Sequence, residues 1–238
     1  MSFIDDAAVT LVRRLPVGYF RVARLLANIR PSLRSYPTQT AYGTLACDIS
    51  ERVCVPLVRE GEYKHWAKDA AYLKSLPLRS DSVVIDVGAN VGCTVAIFSA
   101  KAGHVHAFEP AHRALRLLES NKWPNVSIYP FAVSNYNGTT TFAESNDLDI
   151  SRISETGITV PVRTLDSFAI AADVIKVDVE GFEPQVFEGA AETLKRSPLI
   201  IFEALDSESR IACENAILSA NDSYKFEQIS DLNYVART

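Results

Sequence analysis

Two groups of residues in this 238-residue chain have types and spacings that chemistry can use. The first is the run Asp86-Val87-Gly88-Ala89-Asn90-Val91-Gly92, followed by Glu109, which lies 21 residues after Gly88. Glycines at a strand-to-helix turn let the backbone bend sharply and come close to a ligand. The amides that open the helix then face a polar or anionic group. A carboxylate at the end of the next strand has two oxygens that match the two hydroxyls of a ribose. Glu109 therefore predicts a nucleoside without saying which one. The loop reads G-x-N-x-G, whereas a dinucleotide fingerprint needs G-x-G-x-x-G to admit a pyrophosphate. With Asn90 in the middle, less bare backbone is left for two phosphates. Such a loop suits the amino-acid end of adenosylmethionine, with Asp86 in the same network.

The second group is acidic. Asp178 is placed at the end of a later strand, Glu180, Gly181 and Glu183 follow it, and Glu203 ends the next strand. Acids gathered on one sheet edge can act as a general base, hydrogen-bond a substrate hydroxyl, or hold a divalent cation such as Mg²⁺ through oxygen ligands. Asp178, Glu180 and Glu203 are the candidates for catalysis. Lys176, two residues before Asp178, is a candidate partner for one of them. Tyr63 and Trp66 are candidates for an aromatic wall or for core packing. His65 and His112 have no partner legible in the sequence, and Cys93 reads as a small packed residue.

These residues need a scaffold that brings strand ends to one edge. Val83–Val87, His104–Glu109, Val126–Tyr129, Val174–Asp178 and Leu199–Glu203 read as buried parallel strands. Helices are expected over 91–101, 111–121, 184–195 and 207–220. Strands alternating with helices predict a doubly wound sheet with right-handed crossovers. Thr139–Phe142 and Ile158–Val162 break the alternation as an extra strand pair, with an exposed loop over 143–157. Tyr224–Ile229 and Asn233–Arg237 read as a terminal hairpin. Ser82–Ala100 is long and apolar enough to span a bilayer, but Asp86, Asn90 and two glycines in its middle predict strand, turn and helix instead.

The first forty residues differ from the rest. They carry six arginines against Asp5 and Asp6, a charge of +4, which leaves −9 for the remainder of a chain at −5. Two short amphipathic helices interrupted by Pro16 and Gly18 are expected there, either as a lid on the domain or as an arm that docks on a partner or lies peripherally on a membrane. Residues 40–62 predict a hairpin or extended segment, and Tyr63–Lys74 a helix. The division expected is a helical and hairpin extension over 1–75 and a catalytic domain over 76–238. The net negative charge disfavours a nucleic-acid surface. Four cysteines without metal-ligand spacing predict free thiols in a reducing, cytoplasmic setting, and the first residues lack the pattern of a secretory signal.

Four motifs in order, DVGANVG at 86–92, AFEP at 107–110, FAVS at 131–134 and IKVDVEGFE at 175–183, resemble the FkbM family of methyltransferases over roughly residues 82–205. The resemblance implies a Rossmann-like class I methyltransferase fold: a mostly parallel α/β sheet closed by a C-terminal antiparallel hairpin, here with an N-terminal helical extension. It implies S-adenosylmethionine as methyl donor, lined by Asp86, Gly88, Ala89, Asn90, Gly92 and Glu109, with Ala132, Val133 and Ser134 beside the adenine. It also implies methylation of a hydroxyl oxygen on a sugar, glycolipid or natural-product scaffold. Two other readings compete: a nicotinamide-dependent oxidoreductase and a catalytically silent cofactor-binding module.

Overall fold

The computed structural model describes residues 2–143, 152–153 and 156–238. β3 (Val83–Val87) stands at the centre of the main sheet, flanked by β4 (His104–Phe108) on one side and β10 (Val174–Val177) on the other. β5 (Val126–Tyr129) continues beyond β4, and β11 (Leu199–Glu203) beyond β10, all parallel. Beyond β11 lies β13 (Asn233–Arg237), antiparallel to it, and then the edge strand β12 (Lys225–Gln228). The full order is β12-β13-β11-β10-β3-β4-β5. The five expected parallel strands and the terminal hairpin are all present. Chain order reverses between β3 and β10, which is where an open α/β sheet leaves a crevice at its carboxyl edge.

The run 82–100 folds as strand, turn and helix: β3, then α5 (Cys93–Ser99). No helix among the described residues is long and apolar enough to cross a membrane. α6 (His112–Ser120) follows β4, and α9 (Ser207–Ala220) begins at Asp206, whose carboxylate accepts from the Ser209 amide. The helix expected over 184–195 is two helices, α7 (Glu183–Glu188) and α8 (Ala191–Leu194), broken at Gly189–Ala190.

The extra strand pair is β7 (Gly138–Ala143) with β9 (Ile158–Arg163), antiparallel, joined by β6 (Ala132–Val133) and β8 (Arg152–Ile153) in a second sheet ordered β6-β9-β7-β8. Part of the segment read as an exposed loop is therefore β8, paired with the end of β7. Residues 144–151 and 154–155 of that loop lie outside the described residues.

In the N-terminal region, α1 (Phe3–Arg14) opens with a capping box in which the Ser2 hydroxyl accepts from the Asp5 amide. It stops before Pro16, and α2 (Tyr19–Ile29) starts after Gly18. The hairpin of β1 (Tyr36–Thr40) and β2 (Gly43–Cys47) follows. The extended segment expected to reach residue 62 gives way to α3 (Cys54–Glu60), ended by Gly61 at φ +81°. Val53, Cys54, Val55, Leu57 and Val58 are all buried, and a short run that is apolar on every side carries no period to tell helix from strand. α4 (Ala67–Ser75) then leads into β3. Val9, Val12, Leu33, Leu45 and Leu57 share one continuous apolar core with Val84, Val95, Phe98 and Val105. The opposite face of the sheet buries Phe187, Leu194, Phe202 and Ile217.

Candidate active site

A cavity of about 720 Å³ opens at the carboxyl edge of β3, β4, β10 and β11. Its walls include the loop at 88–91, Glu109 to Ala111, Lys176, Asp178 to Glu180 and Glu203. Tyr63, His65, Trp66 and Asp69 close it from the α4 side, Phe142 from β7, and residues 230–233 from the turn of the terminal hairpin. Its volume suits a nucleoside-sized ligand together with a second small molecule.

The loop glycines answer to protein neighbours. Gly88 has φ +83°, and a Cβ there would lie 1.8 Å from the Asp178 carbonyl oxygen. Gly92 has φ +97°, and a Cβ there would lie 2.7 Å from the Trp123 ring. These glycines therefore also let the loop press against β10 and the Trp123 side chain. Gly88, Ala89 and Asn90 are on the cavity wall, whereas Gly92 is behind it, at the start of α5. Four of the loop amides are already occupied. Gly88 and Ala89 donate to the Phe108 carbonyl at 3.0 and 3.1 Å, Gly92 donates to the Ala89 carbonyl at 2.9 Å, and Asn90 donates to Glu109 Oε2 at 2.8 Å. A pyrophosphate would need such amides free.

Glu109 is held at both oxygens. Oε2 takes the Asn90 amide, and Oε1 takes the Ala111 amide at 2.7 Å. Each oxygen keeps capacity to accept a further hydrogen bond. Burial pushes its carboxyl from 4.5 up to about 7, against the pull of the two amides.

Asp86 is not on the wall. It is fully buried beneath the loop, where it accepts from the Thr94 hydroxyl, and burial raises its pKa. Strand register puts Lys176 directly across from it. The Lys176 ammonium lies 3.7 Å from Asp86 Oδ1 and 2.9 Å from Asp178 Oδ2. Burial opposes the charge on Lys176, but Asp178 and Asp86 outweigh it and hold the ammonium above its ordinary range. The lysine is the floor of the site and the link between the loop network and the acids.

Asp178, Glu180 and Glu203 do converge. One oxygen from each lies within 4.8 Å of the others, and all three are half-buried. Glu180 has φ +57°, a left-handed conformation at the sharp turn after β10. Burial first, then the negative charges of Asp178 and Glu180, push Glu203 up to about 8. Glu183 takes a different part. It is fully buried and accepts the amides of Val179 and Gly181, so it shapes the turn that presents Asp178 and Glu180.

The residues expected at the adenine are divided. Ala132 and Val133 line a small adjoining cavity of about 30 Å³ with Phe108, Phe131 and Phe182. Gly88, Pro110, Phe142 and Val179 belong to both cavities. Ser134 lines neither, and its amide donates to the Arg163 carbonyl.

Sequence reading missed Asp69, Phe142 and the 230–233 turn. Asp69 is 8% exposed on the cavity wall, and its Oδ1 has no hydrogen-bond partner among the described residues; nor does Asn90 Oδ1, which is also buried. An acid in the first turn of a helix reads as a favourable dipole interaction, which masked Asp69. The other two reach the cavity only through tertiary folding.

The parallel sheet with β13 inserted antiparallel beside β11, with the loop after β3 at its reversal point and Glu109 at the end of β4, defines a class I methyltransferase fold. Within that class the chain belongs to the methyltransferase FkbM domain family, whose model matches residues 86–232. It is therefore a methyltransferase. It is 29% identical to the 2-O-methyltransferase NoeI of Sinorhizobium fredii, over 56% of this chain and 68% of that protein. Similar solved structures include a putative methyltransferase from Streptococcus mutans in complex with SAH, 11% identical over 74% of this chain and 98% of that one, with TM-score 0.44. Another is precorrin 8w decarboxylase from Methanobacterium thermoautotrophicum, 13% identical over 75% and 92%, with TM-score 0.48.

Proposed function

We propose that the protein transfers a methyl group from S-adenosylmethionine to a hydroxyl oxygen of a sugar-like acceptor. One observation carries the reading: a buried strand-end carboxylate, Glu109, and an acid cluster, Asp178–Glu180–Glu203, face the same cavity. Glu109 takes the ribose hydroxyls. Phe142, Ala132 and Val133 border the adenine. Asn90 and Asp69, both on the cavity wall, take the α-ammonium of the donor, since each has a side-chain oxygen without a hydrogen-bond partner among the described residues and such acceptors complement a group with three N–H bonds. Tyr63 and Trp66 offer rings for a sugar face.

The acceptor oxygen attacks the methyl carbon in line as the bond from that carbon to sulfur breaks. The hydroxyl proton passes to Glu203, and S-adenosylhomocysteine leaves. Alignment of the two reactants supplies about 7–11 kcal/mol in favourable cases. The base adds about 10²–10⁴-fold. Oxygen as acceptor is supported by the name of the NoeI relative. A divalent cation on the three carboxylates is the second reading, favoured by their mutual distance of 4.8 Å or less.

Calorimetry with S-adenosylhomocysteine and NADH, followed by methyl transfer from labelled donor to a panel of sugars, tests the proposal. Binding of the first ligand alone, with labelled sugar formed, is expected. Binding of NADH instead would support an oxidoreductase, and donor binding with no transfer to any acceptor class would support a silent module.

A further inference from the structure

Ten large apolar side chains stand exposed among the described residues, and six of them fall within the first 29: Phe3, Ile4, Leu11, Val17, Leu25 and Ile29. They follow the helical repeat. On α1, Phe3, Ile4, Leu11 and Arg14 share one stripe, opposite the buried face of Ala8, Val9 and Val12. On α2, Arg21, Leu25 and Ile29 recur every four residues, opposite the buried Ala23 and Ala27. Val17, 79% exposed, sits in the turn between the helices. None of these residues lines the cavity, whose wall begins at Val53.

The charges on this face have one sign. Arg14 and Arg21 are exposed and make no ion pair or hydrogen bond among the described residues. The acids of the segment are engaged elsewhere. Asp5 is buried and holds Arg30 at 2.6 Å, and Asp6 accepts from the Tyr36 hydroxyl at 2.8 Å. Residues 1–40 carry +4 and the remainder −9, so basic charge is concentrated in the segment that bears this face. A two-fold contact with a second copy would set Arg14 and Arg21 near their own kind. An anionic lipid surface complements both features, because apolar side chains enter the acyl boundary while guanidinium groups meet phosphate.

We propose that the outer faces of α1 and α2 dock the protein on an anionic lipid bilayer, with the acidic remainder turned away from it. The inference is independent of the methyl acceptor. Its test is sedimentation of the full chain with vesicles of phosphatidylcholine alone or mixed with phosphatidylglycerol. Binding to the mixed vesicles is expected, weakened by salt. The double variants Arg14→Glu/Arg21→Glu and Leu25→Ser/Ile29→Ser should each lower vesicle affinity about tenfold or more. All four positions are exposed, so melting temperature and S-adenosylhomocysteine affinity should stay unchanged. Failure of the native chain to bind mixed vesicles, or equal binding by both double variants, would overturn the proposal. So would a concentration-dependent dimer that Leu25→Ser/Ile29→Ser abolishes, since the face would then belong to a second copy.

Discussion

Lys176 stands across from Asp86 in the pairing of β10 with β3, and its ammonium bridges that buried carboxylate to Asp178 on the cavity wall. The loop after β3 and the acid cluster are thus joined through one buried cation. Removing it leaves a fully buried carboxylate without its counter-charge. Lys176→Met is expected to destabilise the fold by about 3–5 kcal/mol, the range for breaking a buried pair on one side. Urea unfolding checks this, and a loss below about 1 kcal/mol would mean that the pair is dispensable.

Glu203 gives a pH signature. Its pKa is raised from 4.5 to about 8, so below pH 8 the folded enzyme holds the proton that a general base must first lose. kcat/KM is expected to rise with pH and level off above about 8. Glu203→Gln should remove that rise and lower turnover by about 10²–10⁴-fold. A pH profile unchanged in the variant would take Glu203 out of the chemistry.

The same shift affects stability in the opposite sense. Between pH 4.5 and about 8 the folded state binds a proton at Glu203 that the unfolded chain has released, so this group lowers stability as pH rises through that window. Glu109, raised to about 7, acts in the same direction over a narrower range. The ligand-free protein should therefore melt at a lower temperature at pH 8 than at pH 5 through these two groups. Glu203→Gln should flatten the slope, and an unaltered slope would contradict the burial of its charge.

Asp69 is tested by the part of the cofactor it is assigned to. Asp69→Asn should weaken S-adenosylhomocysteine by about 1.5–3 kcal/mol, the worth of a charged hydrogen bond. It should leave 5′-methylthioadenosine, which lacks the amino-acid end, unaffected. Glu109→Ala should weaken both ligands, because both contain the ribose. Equal losses for both ligands in Asp69→Asn would place that carboxylate elsewhere.

The parallel strands were legible because Val83–Val87, Val174–Val177 and Leu199–Glu203 are short runs rich in apolar and β-branched residues, as strands of a sheet buried on both faces are. Glu109, Asp178 and Glu203 followed as strand-end residues. Chain order alone could not reveal that Gly88 is fixed by the Asp178 carbonyl, because that contact joins two strands 90 residues apart. α3 was hidden by uniform burial, and Asp69 by a local role that explains it equally well. The distinction between Glu180, which faces the cavity, and Glu183, which turns inward to hold the turn, depends on the left-handed backbone at Glu180 and Gly181. Nothing in the residue types separates them.

The most direct measurement of the central claim uses S-adenosylmethionine carrying a ¹³C-labelled methyl group, incubated with a panel of mono- and oligosaccharides and analysed by NMR. The label is expected in a methyl ether on a sugar oxygen, formed by the native enzyme and strongly reduced in Glu203→Gln. Label on a nitrogen or carbon acceptor, or its transfer at an equal rate by the variant, would contradict oxygen methylation assisted by this acid.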